Sequence, residues 1–182
     1  MSQNNYNIKI IESLLKSENH IRNLARLLNT NQTTIARKVN ELYKNNIVDF
    51  KKEGKNKVIF LKKSLEAKQS AYYVETQKLL ENLKKYPNLR RIIELIKKNQ
   101  KIKLAILFGS YAKGTVKKES DIDIYLDTTS KKLKEEVESI DSKINIKIGK
   151  YNKDSLLIKE IEKNHTIIKG IEIYYEKNKF FD

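Results

Sequence analysis

The chain has 182 residues, 38 basic against 23 acidic, for a formal net charge of +15; the excess of lysine favours an anionic partner, nucleic acid or nucleotide. That length holds one or two small domains with a real core, and the absence of cysteine excludes disulfides and thiolate metal sites. No apolar stretch nears membrane-spanning length and the N-terminus lacks a signal-peptide core, so a soluble, cytoplasmic protein with no membrane partner is expected.

From the N-terminus, a polar stretch over residues 1 to 5 precedes Ile8, Ile10, Ile11, Leu14 and Leu15, which share one helical face. Ile21, Leu24, Ala25, Leu27 and Leu28 predict a second helix, broken at Asn29-Thr30-Asn31. A third runs from Gln32 to Tyr43 with Ile35, Val39 and Leu42 inward, capped by Asn31 or Thr33. Two strand-like runs follow, Ile47 to Lys51 and Lys57 to Leu61, around the turn Glu53-Gly54-Lys55-Asn56.

Three helices and a β-hairpin make a winged helix-turn-helix. The segments Asn-Leu-Ala-Arg-Leu-Leu and Thr-Thr-Ile-Ala-Arg-Lys-Val, separated by a short turn, resemble the MarR-like and related bacterial and archaeal DNA-binding domains. The resemblance implies binding of double-stranded DNA through the third helix. Gln32, Thr33, Thr34, Arg37, Lys38 and Asn40 are its expected exposed positions: Arg and Gln read base edges, Lys and Thr meet phosphate. The wing adds Lys51, Lys52, Lys55 and Lys57. Such regulators act as dimers on paired half-sites, so a homodimer is the default expectation.

A long polar helix is predicted over 64 to 86, capped by Ser64, with Ala67, Ala71, Val74, Leu79, Leu80 and Leu83 as an imperfect apolar stripe. Pro87, the sole proline, marks a boundary. The expected domains are therefore a winged helix at 1–63, a helical connector at 64–87 and an α/β domain at 88–182. The last opens with a helix whose Leu89, Ile92, Ile93 and Ile96 share a face.

The most informative stretch runs from Ile102 to Leu126. The apolar run Leu104 to Phe108 stops at Gly109-Ser110, which predicts a strand turning into a short helix. Backbone N–H groups and a hydroxyl then converge where phosphate can bind, and glycine lets the phosphate approach the main chain. Asp121 and Asp123, two apart on the next strand, face one side, while Ile122 and Ile124 face the core. Paired carboxylates repel unless a cation lies between them, and oxygen ligands suit Mg²⁺ bridging to phosphate.

Gly-Ser, ten residues, then Asp-x-Asp resembles the signature of minimal nucleotidyltransferases of the DNA polymerase beta superfamily, with Gly109, Ser110, Gly114, Ser120, Asp121 and Asp123 on the pattern. The resemblance covers about residues 88 to 182 and implies a mixed-sheet nucleotidyltransferase fold. It further implies that Gly109, Ser110, Lys113, Gly114 and Ser120 bind ATP or another nucleoside triphosphate, and that Asp121 and Asp123 are catalytic ligands of Mg²⁺ or Mn²⁺. Lys117 and Lys118 are further candidates to steady the phosphate charge.

In the resembled family the following strand supplies a third carboxylate. The matching strand is Ile144 to Ile148, and the matching place holds Asn145, with Lys147 on the same face. Asparagine is a poor ligand here and cannot serve as a base. A lysine near the two aspartates would instead neutralise them without metal. Asp127 and Asp141 are the other acids nearby. Helices are expected over Lys131 to Ser142 and Asp154 to Asn164, and a last strand over Ile171 to Tyr175. His20 and His165 read as structural or surface residues, and Tyr111 as packing.

Two functions compete. One is Mg²⁺-dependent transfer of a nucleotidyl group to a hydroxyl; enzymes this chain resembles modify small molecules, RNA ends or a tyrosine of a protein toxin. The other is a regulator whose nucleotide-binding domain senses without turnover, which the departure at Asn145 favours. A protein-interaction module with an inactive site is the third.

Overall fold

Helices α1 (Gln3–Lys16), α2 (Ile21–Leu27) and α3 (Gln32–Lys44) open the computed structural model, which describes residues 3–54 and 56–182. Their inward residues follow helical spacing: Ile10, Ile11 and Leu14, then Leu24 and Ala25, then Ile35, Val39 and Leu42. Asn31 caps α3, its side chain accepting a hydrogen bond from Thr34 N at 2.7 Å, a contact worth about 1 kcal/mol. Strands β1 (Val48–Glu53) and β2 (Asn56–Leu61) pair antiparallel from Val48↔Leu61 to Glu53↔Asn56. The segment before α2 joins the other edge of β2: Asn19 N donates to Ile59 O at 3.0 Å and Ile59 N to Asn19 O at 2.7 Å.

Helix α4 (Leu65–Lys85) starts at Ser64, whose hydroxyl accepts from Ala67 N at 3.1 Å and donates to Asn46 O at 2.6 Å. The chain divides into two compact units, residues 1–74 with 180–182, and residues 75–179. Their boundary falls inside α4. Val74 belongs to the core of α1–α3 and the hairpin, Leu79 to the second core.

The second unit continues with α5 (Leu89–Lys98), whose Leu89, Ile92, Ile93 and Ile96 are buried as their spacing predicts. Each such side chain contributes about 1.5–3 kcal/mol by leaving water. There follow β3 (Ala105–Leu107), α6 (Gly109–Lys113), β4 (Ile122–Asp127), α7 (Lys131–Glu138), β5 (Ile144–Gly149), α8 (Leu156–Lys163), β6 (Thr166–Lys169) and α9 (Ile171–Asn178). The sheet order is β5-β4-β3-β6; β4 and β5 are parallel, joined through α7, while β3 runs antiparallel to both β4 and β6. This is a mixed α/β sheet of the kind expected of a nucleotidyltransferase fold. Its outer strand β5 is partly covered by Glu138, whose carboxylate accepts from Ile146 N at 2.9 Å.

Two expected elements differ. The helix expected to reach Ser142 ends at Glu138. The strand expected over Ile171 to Tyr175 is a helix, and the last strand lies just before it at Thr166–Lys169. The alternation Ile171-Glu172-Ile173 suggests a strand, but Gly170 turns the chain first, with φ +80°, and a Cβ there would sit 2.2 Å from Lys103 O. Tyr174, Tyr175 and Asn178 then bury one helical face. Lys169 anchors the last strand to the end of α5, donating to Lys97 O at 2.9 Å and Asn99 O at 2.8 Å.

Among the described residues, no helix is long and apolar enough to cross a membrane.

Candidate functional site

The site sits where β3 ends. Phe108 N donates to Asp123 O at 3.0 Å, which ties the end of β3 to the start of β4. The chain then turns at Gly109, with φ +67°, into the five-residue helix α6. A Cβ on Gly109 would lie 2.3 Å from Asp123 Oδ2 and 3.1 Å from its Cγ. Only glycine allows this carboxylate to rest on the main chain of the corner. Ser110 follows, half-buried, and its carbonyl accepts from Thr115 N at 3.0 Å, closing the loop that leads out of α6.

Burial into β4 alternates as expected: Asp121, just before the strand, is exposed, Ile122 buried, Asp123 half-buried and Ile124 buried. The sheet next brings Asn145 to Asp123. The two are register partners across the parallel β4–β5 pair, and Asn145 Nδ2 donates to Asp123 Oδ1 at 2.8 Å. One oxygen of Asp123 is thus engaged by an amide and the other faces Gly109. Sequence reasoning marked Asn145 as a lost ligand; its role as a donor to Asp123 depends on strand register, which no local pattern announces.

The other nearby charges have duties of their own. Lys147 is exposed, and among the described residues no ion pair joins it to Asp121 or Asp123, so the contact that metal-free neutralisation requires is not formed. Asp127 pairs with Lys177 at 3.0 Å and accepts from Tyr151 N at 2.9 Å. Asp141 accepts from Lys143 N at 2.9 Å in the turn before β5. Neither supplies a third acid. Among the described residues, no group of three or more His, Cys, Asp or Glu side chains comes together that could hold a metal.

Of the remaining expected nucleotide contacts, Lys113 pairs with Glu160 at 3.1 Å. Gly114 ends α6, and its carbonyl accepts from Lys85 Nζ at 3.1 Å. Ser120 Oγ accepts from Lys117 N at 2.8 Å, shaping the turn before β4. Tyr111 is buried; its ring meets that of Tyr86 at 5.0 Å and its hydroxyl accepts from Asn88 Nδ2 at 3.1 Å, the packing role expected of it. Further along the Asp123 face lies a phenol cluster that sequence reading missed. Tyr125 donates to Gly149 O at 2.8 Å, and Tyr151 donates to Glu162. Burial, before any neighbouring charge, pushes both hydroxyls well above the usual phenol range, so they stay neutral donors.

In the first unit, Gln32, Thr33, Arg37 and Asn40 on α3 are exposed and Thr34 half-buried, as are Lys52 and Lys57 exposed on the hairpin. Lys57 Nζ sits 3.5 Å above the Phe50 ring, and Lys51 pairs with Glu18 and Glu53. Lys55 lies outside the described residues. Lys38 corrects the expectation of exposure. It is 3 % exposed and bonds Glu41 Oε2 at 2.8 Å, while Asn7 Nδ2 holds Glu41 Oε1 at the same distance. At this position the helix face turns inward next to Val39, and the long apolar stem of lysine fills the space.

The family model for the polymerase beta nucleotidyltransferase domain matches residues 90–178, from the first turn of α5 to the end of α9. The match includes the Gly109–Ser110 corner, both aspartates and Asn145, and at the coarse level it points to nucleotidyl transfer. No curated protein matches the chain.

Proposed function

We propose that this chain is a DNA-binding protein whose C-terminal domain transfers a nucleotidyl group, AMP from ATP, to a hydroxyl acceptor. The observation that carries the proposal is the contact of Gly109 with Asp123: the corner suited to phosphate and a carboxylate suited to a cation share one place, within reach of a single substrate. Gly109 and Ser110 hold the β- and γ-phosphates through backbone N–H groups and the hydroxyl. Asp121 and Asp123 face the α-phosphate. Two carboxylates with phosphate oxygens and water make a donor set that fits Mg²⁺ or Mn²⁺, which when bound neutralises the phosphate charge. The acceptor oxygen bonds to the α-phosphorus, the α–β phosphoanhydride breaks and pyrophosphate leaves. The hydroxyl proton passes to water, since Asn145 has no capacity to take it. A protein partner, such as a toxin, and a small molecule are both acceptors of this class.

The N-terminal unit supports DNA binding as a winged helix-turn-helix. Its third helix carries Gln32, Thr33 and Arg37 outward, its hairpin carries Lys52 and Lys57, and the chain as a whole is strongly basic. A homodimer on paired half-sites is the form such a unit takes.

Incubation with α-labelled nucleotides, Mn²⁺ and cell extract tests the enzyme. Label transfer by the wild type, lost in Asp121→Ala with Asp123→Ala, is the expected result; no transfer from any nucleotide would reject it. The amide donated to Asp123 favours one rival, a sensor without turnover. That reading gains if nucleotide shifts DNA affinity while no label moves.

A further inference from the structure

We propose that Asn145 is a positioning residue that commits Asp123 to a single divalent cation. The inference rests on the nucleotide-site reading above and adds what that site can hold. Asp123 is clamped on two sides. Its Oδ1 accepts the Asn145 amide at 2.8 Å, and its Oδ2 lies against Gly109, where a Cβ would come within 2.3 Å. The clamp is built into the sheet, because Asp123 and Asn145 are register partners of adjacent parallel strands with Ile122, Ile124, Ile144 and Ile146 buried on the opposite face. A one-residue slip of β5 along β4 would turn its buried Ile144 and Ile146 to the other face, so the register is firmly set.

The chemistry of the donor follows. A side-chain amide turned with its N–H₂ toward a carboxylate presents the positive end of its dipole where a second carboxylate would present negative charge. A cation bridging Asp123 and residue 145 would have to break that hydrogen bond and displace the amide hydrogens. Asp127 and Asp141 are held by other partners and cannot substitute. The domain therefore takes one divalent cation, between Asp121, Asp123 and the nucleotide phosphates, and Asn145 aims Asp123 for it.

The experiment counts Mn²⁺ by electron paramagnetic resonance on the full chain saturated with a non-hydrolysable nucleoside triphosphate. Wild type binds one ion per complex and Asn145→Asp, which is nearly isosteric, binds two. Two ions on wild type, or one on Asn145→Asp, overturns the proposal. A thermal melt reads the same geometry without nucleotide: in EDTA the Asp variant melts lower by roughly 3–6 °C, since two carboxylates now face each other, and millimolar Mn²⁺ restores it. A variant indifferent to both EDTA and Mn²⁺ also overturns it. Asn145→Leu removes the donor without adding charge. It keeps the count at one with several-fold weaker Mn²⁺ affinity, and unchanged affinity counts against the clamp. None of these readouts depends on turnover. Loss of label transfer by wild type strikes the enzymatic reading alone, and a wrong ion count strikes this inference alone.

Discussion

The two units expose chemistry in opposite ways. On the N-terminal unit the candidate surface is a set of side chains from one helix and one hairpin, each reaching outward on its own: Gln32, Thr33 and Arg37 on α3, Lys52 and Lys57 on the strands. On the C-terminal unit the candidate site is assembled. Gly109 comes from the end of one strand, Asp123 from its neighbour and Asn145 from the next, and each is defined by what it touches. The difference teaches where single substitutions should hurt. A surface of independent contacts loses affinity in parts, whereas a site of touching groups fails together.

The largest expected effect is therefore at the corner. Gly109→Ala forces Asp123 aside and strains a left-handed backbone, so label transfer should fall at least about 100-fold, as displacements of an ångström do at reacting centres. Initial rates under saturating nucleotide check this, and a melt on the same sample separates it from unfolding. Transfer within a few-fold of wild type would mean that the contact does not belong to the site.

On the other unit the comparison sharpens to two adjacent basic residues. Arg37→Ala should weaken DNA binding roughly tenfold and flatten its salt dependence, the scale of one lost base or phosphate contact. Lys38→Met should leave DNA binding near wild type, because Lys38 is buried against its own helix. Gel shifts at several salt concentrations decide it, and equal losses from both substitutions would dissolve the distinction between an outward arginine and an inward lysine.

The smallest effect concerns pH. The Lys38 hydrogen bond, with help from Asn7, holds the Glu41 carboxyl below its usual value. A carboxyl with a depressed folded pKa stabilises the fold above its unfolded value and loses that contribution as pH drops through the folded one. Wild type should then lose a few tenths of a kcal/mol more than Lys38→Met between pH 5 and the acid limit of folding, the modest scale expected where the carboxylate is open to solvent. Denaturant melts across that range test it, and parallel pH curves would reject the coupling.

Much of this was legible locally. Periodicity placed all three N-terminal helices, the hairpin, α5 and the strands flanking the corner, because each of these elements carries a strong apolar pattern of its own period. It failed at Ile171 to Tyr175, where alternation over five residues competed with a glycine whose carbonyl neighbour, Lys103 O, is remote in sequence. It also failed at Lys38, since helical spacing says which side a residue lies on, yet a boundary position can turn a lysine stem inward.

By itself the chain's order of residues determined the corner, the paired aspartates and the lack of a third acid at position 145, because these depend on spacing and residue type alone. Only the tertiary structure decided that Asn145 bonds Asp123, that Gly109 lies against the same carboxylate, and that Asp127 is held by Lys177 instead. Those contacts join residues 14 to 50 positions apart, or neighbouring strands whose register is chosen by the burial of the opposite face, and that choice is made by the packed core as a whole.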